Sequence, residues 1–401
     1  MNIFKRIYCR VYQTAFYLLL PFLPSRTPEI LSGAEDIARV IKQKGFSRVL
    51  IVTDVFLKSS GATQNLENTL VKENLQIAVF SQVNANPTVI NVESGLEIYK
   101  EHNAECIIAF GGGSAMDCAK AIGARVAYAR KSLEKLKGLL KVRKKIPLLF
   151  ACPTTAGTGS EVTVTSVITD SERHHKYTMN SFALIPSYAV LDAKVTLTLP
   201  KHLTSTTGMD ALTHAVEAFI GRSTTRSTRA QATQATKLIF ENILTAYNQP
   251  TNLVARENML KAAYLAGLAF TKSYVGYVHA IAHSLGGKYN VAHGLANSVL
   301  LPVVLKGYGK SAHKKLYKLA LATDICEKQD SYEVGAKKFI QKIEFLLQEM
   351  SIPTYIDKIE EKDIPEMAEH ADKEANPLYP VPKLFDGAQL STFYYQIIKK
   401  D

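Results

Sequence analysis

Three of the ten histidines in this chain lie within seventeen residues, in the segment VHAIAHSLGGKYNVAHG. His279 and His283 are four positions apart, which places both side chains on one face of a helix, and His293 follows ten residues later. Asp210 and His214 repeat the four-residue spacing in GMDALTHAVE. A lone histidine of this kind is usually structural, but several ligand-type side chains on apolar helices are costly without partners. One carboxylate and two or three imidazoles would suit a divalent metal such as Zn²⁺ or Fe²⁺.

A glycine-rich turn follows a predicted strand and opens a predicted helix in ECIIAFGGGSAMDCAKAIG. Gly112 and Gly113 let the backbone come close to an anion, and the helix that starts near Ser114 offers free N–H groups. The motif is neither GxGxxG nor a P-loop, and a tight turn alone would also require glycine. In this strand–turn–helix setting, we predict a phosphate or pyrophosphate site.

Two further segments offer polar groups to a nucleotide. Thr154, Thr155, Thr158 and Ser160 follow a predicted strand in CPTTAGTGSEVT, where their hydroxyls could donate hydrogen bonds or simply stabilise a turn. Asp54 ends the predicted strand LIVTD. An acidic residue there can bind the ribose diol of NAD and would repel the 2′-phosphate of NADP, although a single acidic loop residue is often only a surface group.

The elements that carry these residues change in type near Pro200. Before it, the apolar runs SRVLIVTD, LQIAVF, ECIIAF and PLLFAC alternate with helical stretches such as SGLEIYKEH, which predicts a parallel sheet with helices on its faces. The strand-like segments VTVTSVITD and YAVLDA follow. Beyond Pro200 the apolar residues recur with helical periodicity, as in TRAQATQATKLIFENILTAY. We predict a Rossmann-like α/β nucleotide-binding domain at 28–199 and an all-helical metal-binding domain at 200–401.

The composition excludes some classes of protein. The five cysteines are scattered and contain no CxxC pair, which argues against a disulfide framework and a thiolate zinc site and favours a reducing, cytoplasmic location. The net charge of +12 is partly local, since Arg130–Lys145 carries eight basic residues against one glutamate. No aromatic residue interrupts that run, so we interpret it as a solvated face and expect no nucleic-acid partner.

The first 27 residues form a basic and apolar arm. Its run AFYLLLPFLP is too short to span a bilayer and contains Pro21 and Pro24, and it lacks the small-residue cleavage site of a secretory signal. Two interpretations remain for residues 1–26. The arm packs on the body or on another subunit, which the short run and its prolines favour, or it is a helix that touches a membrane surface.

Four long motifs, in order, resemble the iron-containing (group III) alcohol dehydrogenase family: FGGGSAMDCAKAIG, PTTAGTGSEVT, TGMDALTHAVEA and VHAIAHSLGGKYNVAHGLAN. The resemblance extends from about residue 28 to the C-terminus. It implies a small-molecule alcohol or aldehyde substrate, an NAD cofactor rather than NADP, one Fe²⁺ or Zn²⁺, and a homo-oligomer such as a dimer.

The resemblance also implies roles for individual residues. The metal ligands would be Asp210, His214, His279 and His293, and His283 would be an unligated catalytic histidine that relays a proton. Such a metal acts as a Lewis acid on the substrate oxygen, while hydride passes between the carbinol carbon and nicotinamide. The implied cofactor contacts are Asp54, Asn86, Gly112, Gly113, Ser114, Asp117, Thr154, Thr155, Thr158 and Lys176.

Two alternatives stay open at this point. Glycerol dehydrogenase-like proteins and dehydroquinate synthase-like proteins share the expected fold and also use NAD and a metal, although the Asp–His–His–His set favours the alcohol dehydrogenase branch. The other alternative is a basic, membrane-associated protein with a vestigial site, which the arm and the Arg130–Lys145 run favour. The intact ligand set argues against it.

Overall fold

The structure is a computed structural model, and it describes residues 1–20, 26–170, 175–357 and 359–399. Within these residues the strands are β1 (Glu29–Leu31), β2 (Arg48–Val52), β3 (Gln76–Phe80), β4 (Cys106–Gly111), β5 (Gly138–Leu139), β6 (Leu148–Pro153), β7 (Thr165–Asp170), β8 (His175–Asn180) and β9 (Tyr188–Val190). The α-helices are α1 (Ile3–Leu19), α2 (Ala34–Gln43), α3 (Val55–Ser59), α4 (Gln64–Lys72), α5 (Val89–Glu101), α6 (Gly113–Ala127), α7 (Lys201–Ile220), α8 (Arg226–Asn248), α9 (Leu253–Ser273), α10 (Tyr277–Tyr289), α11 (His293–Tyr308), α12 (Lys310–Ala322), α13 (Tyr332–Glu349), α14 (Ile364–Ala375) and α15 (Gly387–Ile397).

The chain forms two compact units. One is Pro24–Leu199, which contains the nine strands β1–β9 of the described residues, and the other combines Met1–Leu23 with Pro200–Asp401. The predicted fold class, an α/β part followed by an all-helical part, is confirmed. Helix α1, although first in the sequence, groups with the helical unit.

The α/β unit is built on a six-stranded sheet in the order β1-β9-β6-β4-β2-β3, and all of its pairings are parallel. Alternate residues of a strand point to opposite faces, so Leu50 and Val52 enter one apolar core while Val49 and Ile51 enter the other. Because helices cover both faces, the strands are continuous apolar runs, which made them predictable.

A smaller sheet, in the order β5-β8-β7, lies in the same unit. Strand β7 is predicted by the sequence. Strands β1, β5 and β8 are not, because they are short or largely polar and carry no continuous apolar run. All eight basic residues of Arg130–Lys145 are exposed, while Leu133, Leu136 and Val142 from the same segment are buried. The basic run is therefore a solvated surface anchored by apolar side chains.

Helix α7 is the best-buried helix that carries predicted site residues. Its second half is buried on every side, since every residue from Gly208 to Ile220 is buried, including the polar Asp210, His214 and Glu217. It packs against α8, α9 and α11. In the described part of the chain, no helix is both long enough and apolar enough to cross a membrane.

Candidate active site

Four predicted ligand residues meet in the helical unit. Asp210 and His214 lie on α7, His279 lies on α10, and His293 is the first residue of α11. Each offers one ligand atom, and these atoms all lie within 4.8 Å of one another. Oδ1 of Asp210 is 3.8 Å from Nε2 of His279 and 3.5 Å from Nε2 of His293.

The chemistry of this cluster fits a divalent metal. Nε2 of His279 is buried and makes no hydrogen bond with any described residue. An orphaned buried nitrogen is costly unless something binds it, and a carboxylate with three imidazoles is a donor set for Fe²⁺ or Zn²⁺. Asn297, which is fully buried on α11, donates a hydrogen bond of 2.6 Å to Oδ1 of Asp210. This contact fixes the carboxylate within the cluster.

A buried carboxylate orients His279. Glu217, one helical turn beyond His214, accepts hydrogen bonds from the backbone N–H groups of Gly276 at 2.7 Å and Val278 at 2.9 Å, and from Nδ1 of His279 at 2.7 Å. Burial raises the pKa of Glu217 to about 7, against the lowering effect of these donors. With Nδ1 held by Glu217, the lone pair of Nε2 is directed into the cluster.

Two glycines permit the close approach of these helices. A Cβ at Gly276, just before α10, would lie 2.6 Å from Oε1 of Glu217. A Cβ at Gly294, beside His293, would lie 2.6 Å from the carbonyl oxygen of Thr206 on α7. Real Cβ atoms do not approach so closely, so a larger side chain at either position would push a ligand-bearing helix away.

His283 lies beside the cluster rather than within it. Its ring stacks on His293 with centroids 5.3 Å apart, and its side chain is 43% exposed. Nδ1 of His283 is 2.6 Å from Oε1 of Glu374, which also accepts a hydrogen bond from the Tyr379 hydroxyl at 2.7 Å. Burial opposes ionisation of Glu374, but His283 and the Tyr379 hydroxyl together lower the pKa of this carboxyl. A partly exposed imidazole with an ionised partner is suited to moving protons.

The predicted nucleotide residues gather at the carboxyl edge of the parallel sheet in the α/β unit. Asp54 follows β2, Gly112 follows β4, and Thr154 follows β6, and these three strands are neighbours. The strand that follows β2 in the sequence, β3, lies on one side of β2, whereas β6, which follows β4 in this sheet, lies on the other side. Strands β2 and β4 therefore flank the point where the strand order reverses. Ligands of open α/β sheets bind at such a point.

The two small-residue loops touch each other at this edge. A Cβ at Gly113 would lie 3.0 Å from Cγ2 of Thr158, and one at Gly112 would lie 3.5 Å from Oγ1 of Thr155. Gly112 is the N-cap of α6 and has no side-chain cap, which leaves the first N–H groups of that helix for a ligand. Oγ1 of Thr155 is buried and makes no hydrogen bond with any residue in the described ranges.

Other predicted contacts take part in bonds within the protein. Asp54 is the N-cap of α3, with Oδ1 accepting from the Leu57 N–H at 2.8 Å. Lys176 donates to Oδ1 of Asn86 at 2.9 Å, and Ser114 donates to the carbonyl oxygen of Ala85 at 2.5 Å. The Ser114 bond holds the loop after β3 against the start of α6, and the Lys176 bond holds the same loop against β8.

Asp117 lies one turn into α6 and accepts hydrogen bonds from Oγ of Ser160 at 3.1 Å and from the Val167 N–H at 3.0 Å. Both of its carboxylate oxygens therefore bind protein groups, and these bonds connect α6 to the hydroxyl-rich loop and to β7. Burial raises its pKa to about 6, while the Lys120 ammonium has the opposite effect.

Lys120 was not among the predicted site residues. Its ammonium is fully buried and donates to Oγ of Ser160 at 2.9 Å, Oγ1 of Thr163 at 2.9 Å and the carbonyl oxygen of Thr165 at 2.9 Å, with further bonds to the carbonyl oxygens of Ser160 and Thr163. Burial lowers the pKa of Lys120 to about 8. The residue ties α6 to the hydroxyl-rich loop, and its position within the apolar stretch DCAKAIG was the available signal.

Family models match both halves of the chain. Residues 28–193 match the model described as iron-containing alcohol dehydrogenase, and residues 204–397 match the C-terminal model of the same family. The chain belongs to the iron-containing alcohol dehydrogenase family. The resemblance seen in the four motifs is thereby confirmed, and the chain is an oxidoreductase of the alcohol dehydrogenase class.

Individual relatives agree with this assignment. The 1,3-propanediol dehydrogenase of Klebsiella pneumoniae is 38% identical over 342 residues, which cover 83% of this chain and 87% of that protein. The crystal structure of a 1,3-propanediol oxidoreductase superposes with a TM-score of 0.89 at 34% identity, covering 94% of this chain and 99% of that one. A sulfoacetaldehyde reductase from Bifidobacterium kashiwanohense, solved with NAD⁺, gives a TM-score of 0.83 at 28% identity, covering 94% and 99%.

Proposed function

We propose that this iron-containing alcohol dehydrogenase family member interconverts a primary alcohol or diol and its aldehyde, with NAD(H) as the hydride carrier. The convergence of Asp210, His214, His279 and His293 within 4.8 Å is the observation that carries the proposal. The relatives that act on 1,3-propanediol favour a small substrate of this class.

The four converging residues are the proposed metal ligands. A divalent metal held there would supply Lewis acidity toward the oxygen of the substrate. The ligand set suits Fe²⁺, which the family name indicates, and also Zn²⁺. Glu217 and Asn297 support the set by orienting His279 and Asp210.

His283 is the proposed proton relay. Its partial exposure opens one side of the ring to solvent, and Glu374 stabilises the protonated ring through Nδ1. The proton of the substrate hydroxyl would leave through His283 during oxidation and return by the same route during reduction.

The carboxyl edge of the α/β sheet is the proposed NAD site. Gly112, Gly113 and Ser114 would bind the pyrophosphate at the start of α6, with Asn86, Thr154, Thr155, Thr158 and Lys176 around the nucleotide and Asp117 as support. Asp54 would accept hydrogen bonds from the ribose diol, which favours NAD over NADP.

We also propose a cytoplasmic homodimer with a peripheral contact, to a membrane or to another subunit, through residues 1–26. All five cysteines are free and buried, as expected in a reducing compartment. Strand β1 pairs with β9 alone within the described residues and exposes Ile30, and such an edge is able to accept another chain.

The test is anaerobic purification with Fe²⁺ or Zn²⁺, followed by metal analysis and absorbance at the NADH band with a panel of short alcohols and diols. About one metal per chain, and NADH formation that chelation abolishes, would support the proposal. A chain without bound metal or turnover would contradict it. Release of product with no net accumulation of NADH would favour the synthase-like alternative.

A further inference from the structure

Helix α1 is attached to the helical unit by one face. Gln13 is buried, and its Nε2 donates to the carbonyl oxygen of Tyr379 at 2.7 Å. The Arg10 guanidinium donates to the carbonyl oxygen of Val381 at 2.8 Å, and Cys9, about one turn before Gln13, is also buried. At the N-terminal end, Lys5 pairs with Asp372 at 2.9 Å. These contacts fix which side of the helix faces outward.

The outward face of α1 is largely apolar, with Thr14 as the hydroxyl residue on it, whose Oγ1 donates to the carbonyl oxygen of Arg10. At 3.6 residues per turn, positions 4, 7, 11 and 18 fall on one line opposite Cys9 and Gln13. The side chains on and beside this line are largely exposed: Phe4 80%, Val11 63%, Leu18 63%, Ile3 60%, Leu19 55% and Ile7 53%. An apolar stripe of this length, about 26 Å, is unusual on a surface that faces only water.

Amphipathic residues border this stripe on both sides. Tyr8 and Tyr12, which are 59% and 36% exposed, follow one border, while Tyr17 lies along the other and the exposed Arg6 lies beyond Tyr17, toward the side of Gln13. Residues 1–28 contain no acidic side chain, and the first carboxylate in the sequence is that of Glu29. Apolar centres with tyrosine and cationic borders are typical of helices that lie in the interface of a membrane.

We propose that the outward face of α1 binds an anionic lipid surface, with Phe4, Val11 and Leu18 inserted among the headgroups and the helix lying parallel to the membrane. Charge complementarity favours lipid over a second copy of the chain. A second copy would bring the same cations to this face and would itself carry a net charge of +12 over the whole chain, whereas anionic headgroups attract cations. The inference deepens the peripheral contact proposed above and is independent of the catalytic proposal. Since the family model begins at residue 28, α1 lies outside the matched core.

The test is flotation of the full-length protein with vesicles of phosphatidylcholine that contain phosphatidylglycerol, compared with phosphatidylcholine alone, at low and high salt. The protein is expected to float with the anionic vesicles and to be released by salt. Replacement Arg6→Gln should weaken partitioning about fivefold. Equal flotation with both vesicle types would overturn the electrostatic part of the proposal.

The decisive variant is the triple replacement Phe4→Ser, Val11→Ser and Leu18→Ser, because all three side chains are exposed and none supports the fold. Partitioning should fall by at least about tenfold, with dehydrogenase activity and melting temperature unchanged. The matched control is Val254→Ser, Val334→Ser and Phe345→Ser, three exposed apolar residues on other helices, which should float like the parent. Unaltered flotation of the α1 variant would overturn the proposal. So would a parent protein that does not bind vesicles, together with an α1 variant of lower oligomeric mass, because α1 would then be a subunit contact.

Discussion

Nδ1 of His279 is 2.7 Å from the carboxylate of Glu217, while Nε2 of the same ring lies 3.8 Å from Oδ1 of Asp210. One imidazole thus connects a buried carboxylate to the ligand cluster. Two backbone N–H groups also donate to Glu217, so the carboxylate is best satisfied when ionised and accepting the Nδ1 proton. That arrangement leaves Nε2 unprotonated and available to a metal.

Replacement Glu217→Gln should weaken metal binding by about 10- to 100-fold. The amide can still accept from one backbone N–H, but its NH₂ group then faces Nδ1, which favours the tautomer with the proton on Nε2. Competition between the protein and a chromophoric chelator for Zn²⁺ or Co²⁺ measures the affinity. Glu241→Gln, on the exposed surface of α8, is the control. An affinity equal to that of the parent would show that Glu217 does not position His279.

Replacement Asp54→Asn should improve the use of NADP relative to NAD by about tenfold, because it removes the charge that opposes a 2′-phosphate. Asparagine caps helices as well as aspartate does, so α3 should keep its cap and the melting temperature should not change. Steady-state kinetics with both cofactors give the ratio of kcat/KM for NADP to kcat/KM for NAD. The control is Asp192→Asn, which alters another capping aspartate of the α/β unit. If the preference does not move, Asp54 does not contact the ribose.

Replacement Lys120→Met should destabilise the α/β unit by about 3–5 kcal/mol. The change leaves carbonyl oxygens of Ser160, Thr163 and Thr165 unsatisfied in a buried position. Chemical denaturation followed by circular dichroism measures the loss. Lys100→Met, an exposed change on α5, should stay within about 0.5 kcal/mol of the parent. A similarly small effect at Lys120 would mean that water or rearranged side chains replace the ammonium.

The stability of the chain should depend on pH through Glu161. Burial raises its pKa from 4.5 to about 7, and Lys120 has the opposite effect. A raised folded-state pKa means that the folded chain holds the proton more tightly. The contribution of Glu161 to the free energy of unfolding is complete below pH 4.5 and is lost as the pH rises through about 7. The loss is about 3 kcal/mol.

Replacement Glu161→Gln mimics the protonated form and should remove this loss. The melting temperature of the variant, relative to that of the parent, should therefore increase as the pH rises from about 4.5 to about 7. A constant difference across that range would show that Glu161 titrates normally in the folded chain.

Local periodicity accounts for the parts of the site that were predictable. Asp210 and His214 share a helical face, and so do His279 and His283, so each pair could be recognised from its spacing. Glu217 continues the face of Asp210 and His214 and could have been found in the same way. The buried strands were equally visible because both of their faces are apolar.

Contacts between distant segments account for what was missed. Glu374 reaches His283 across 91 residues, and Lys120 reaches its loop partners across 40 or more. No spacing rule encodes such pairs, since packing of whole helices creates them. Helix α1 shows the same limit, because a buried glutamine holds an apolar helix in place, and hydropathy alone would assign Gln13 to the solvent side.

Metal content per chain, measured on His279→Ala and His283→Ala after anaerobic loading with Fe²⁺ or Zn²⁺, tests the proposed ligand set. We expect about one metal per chain in the parent and in His283→Ala, with turnover in His283→Ala below that of the parent. We expect His279→Ala to lose both bound metal and turnover. Full metal content in His279→Ala, or loss of metal in His283→Ala, would contradict the proposed ligand set.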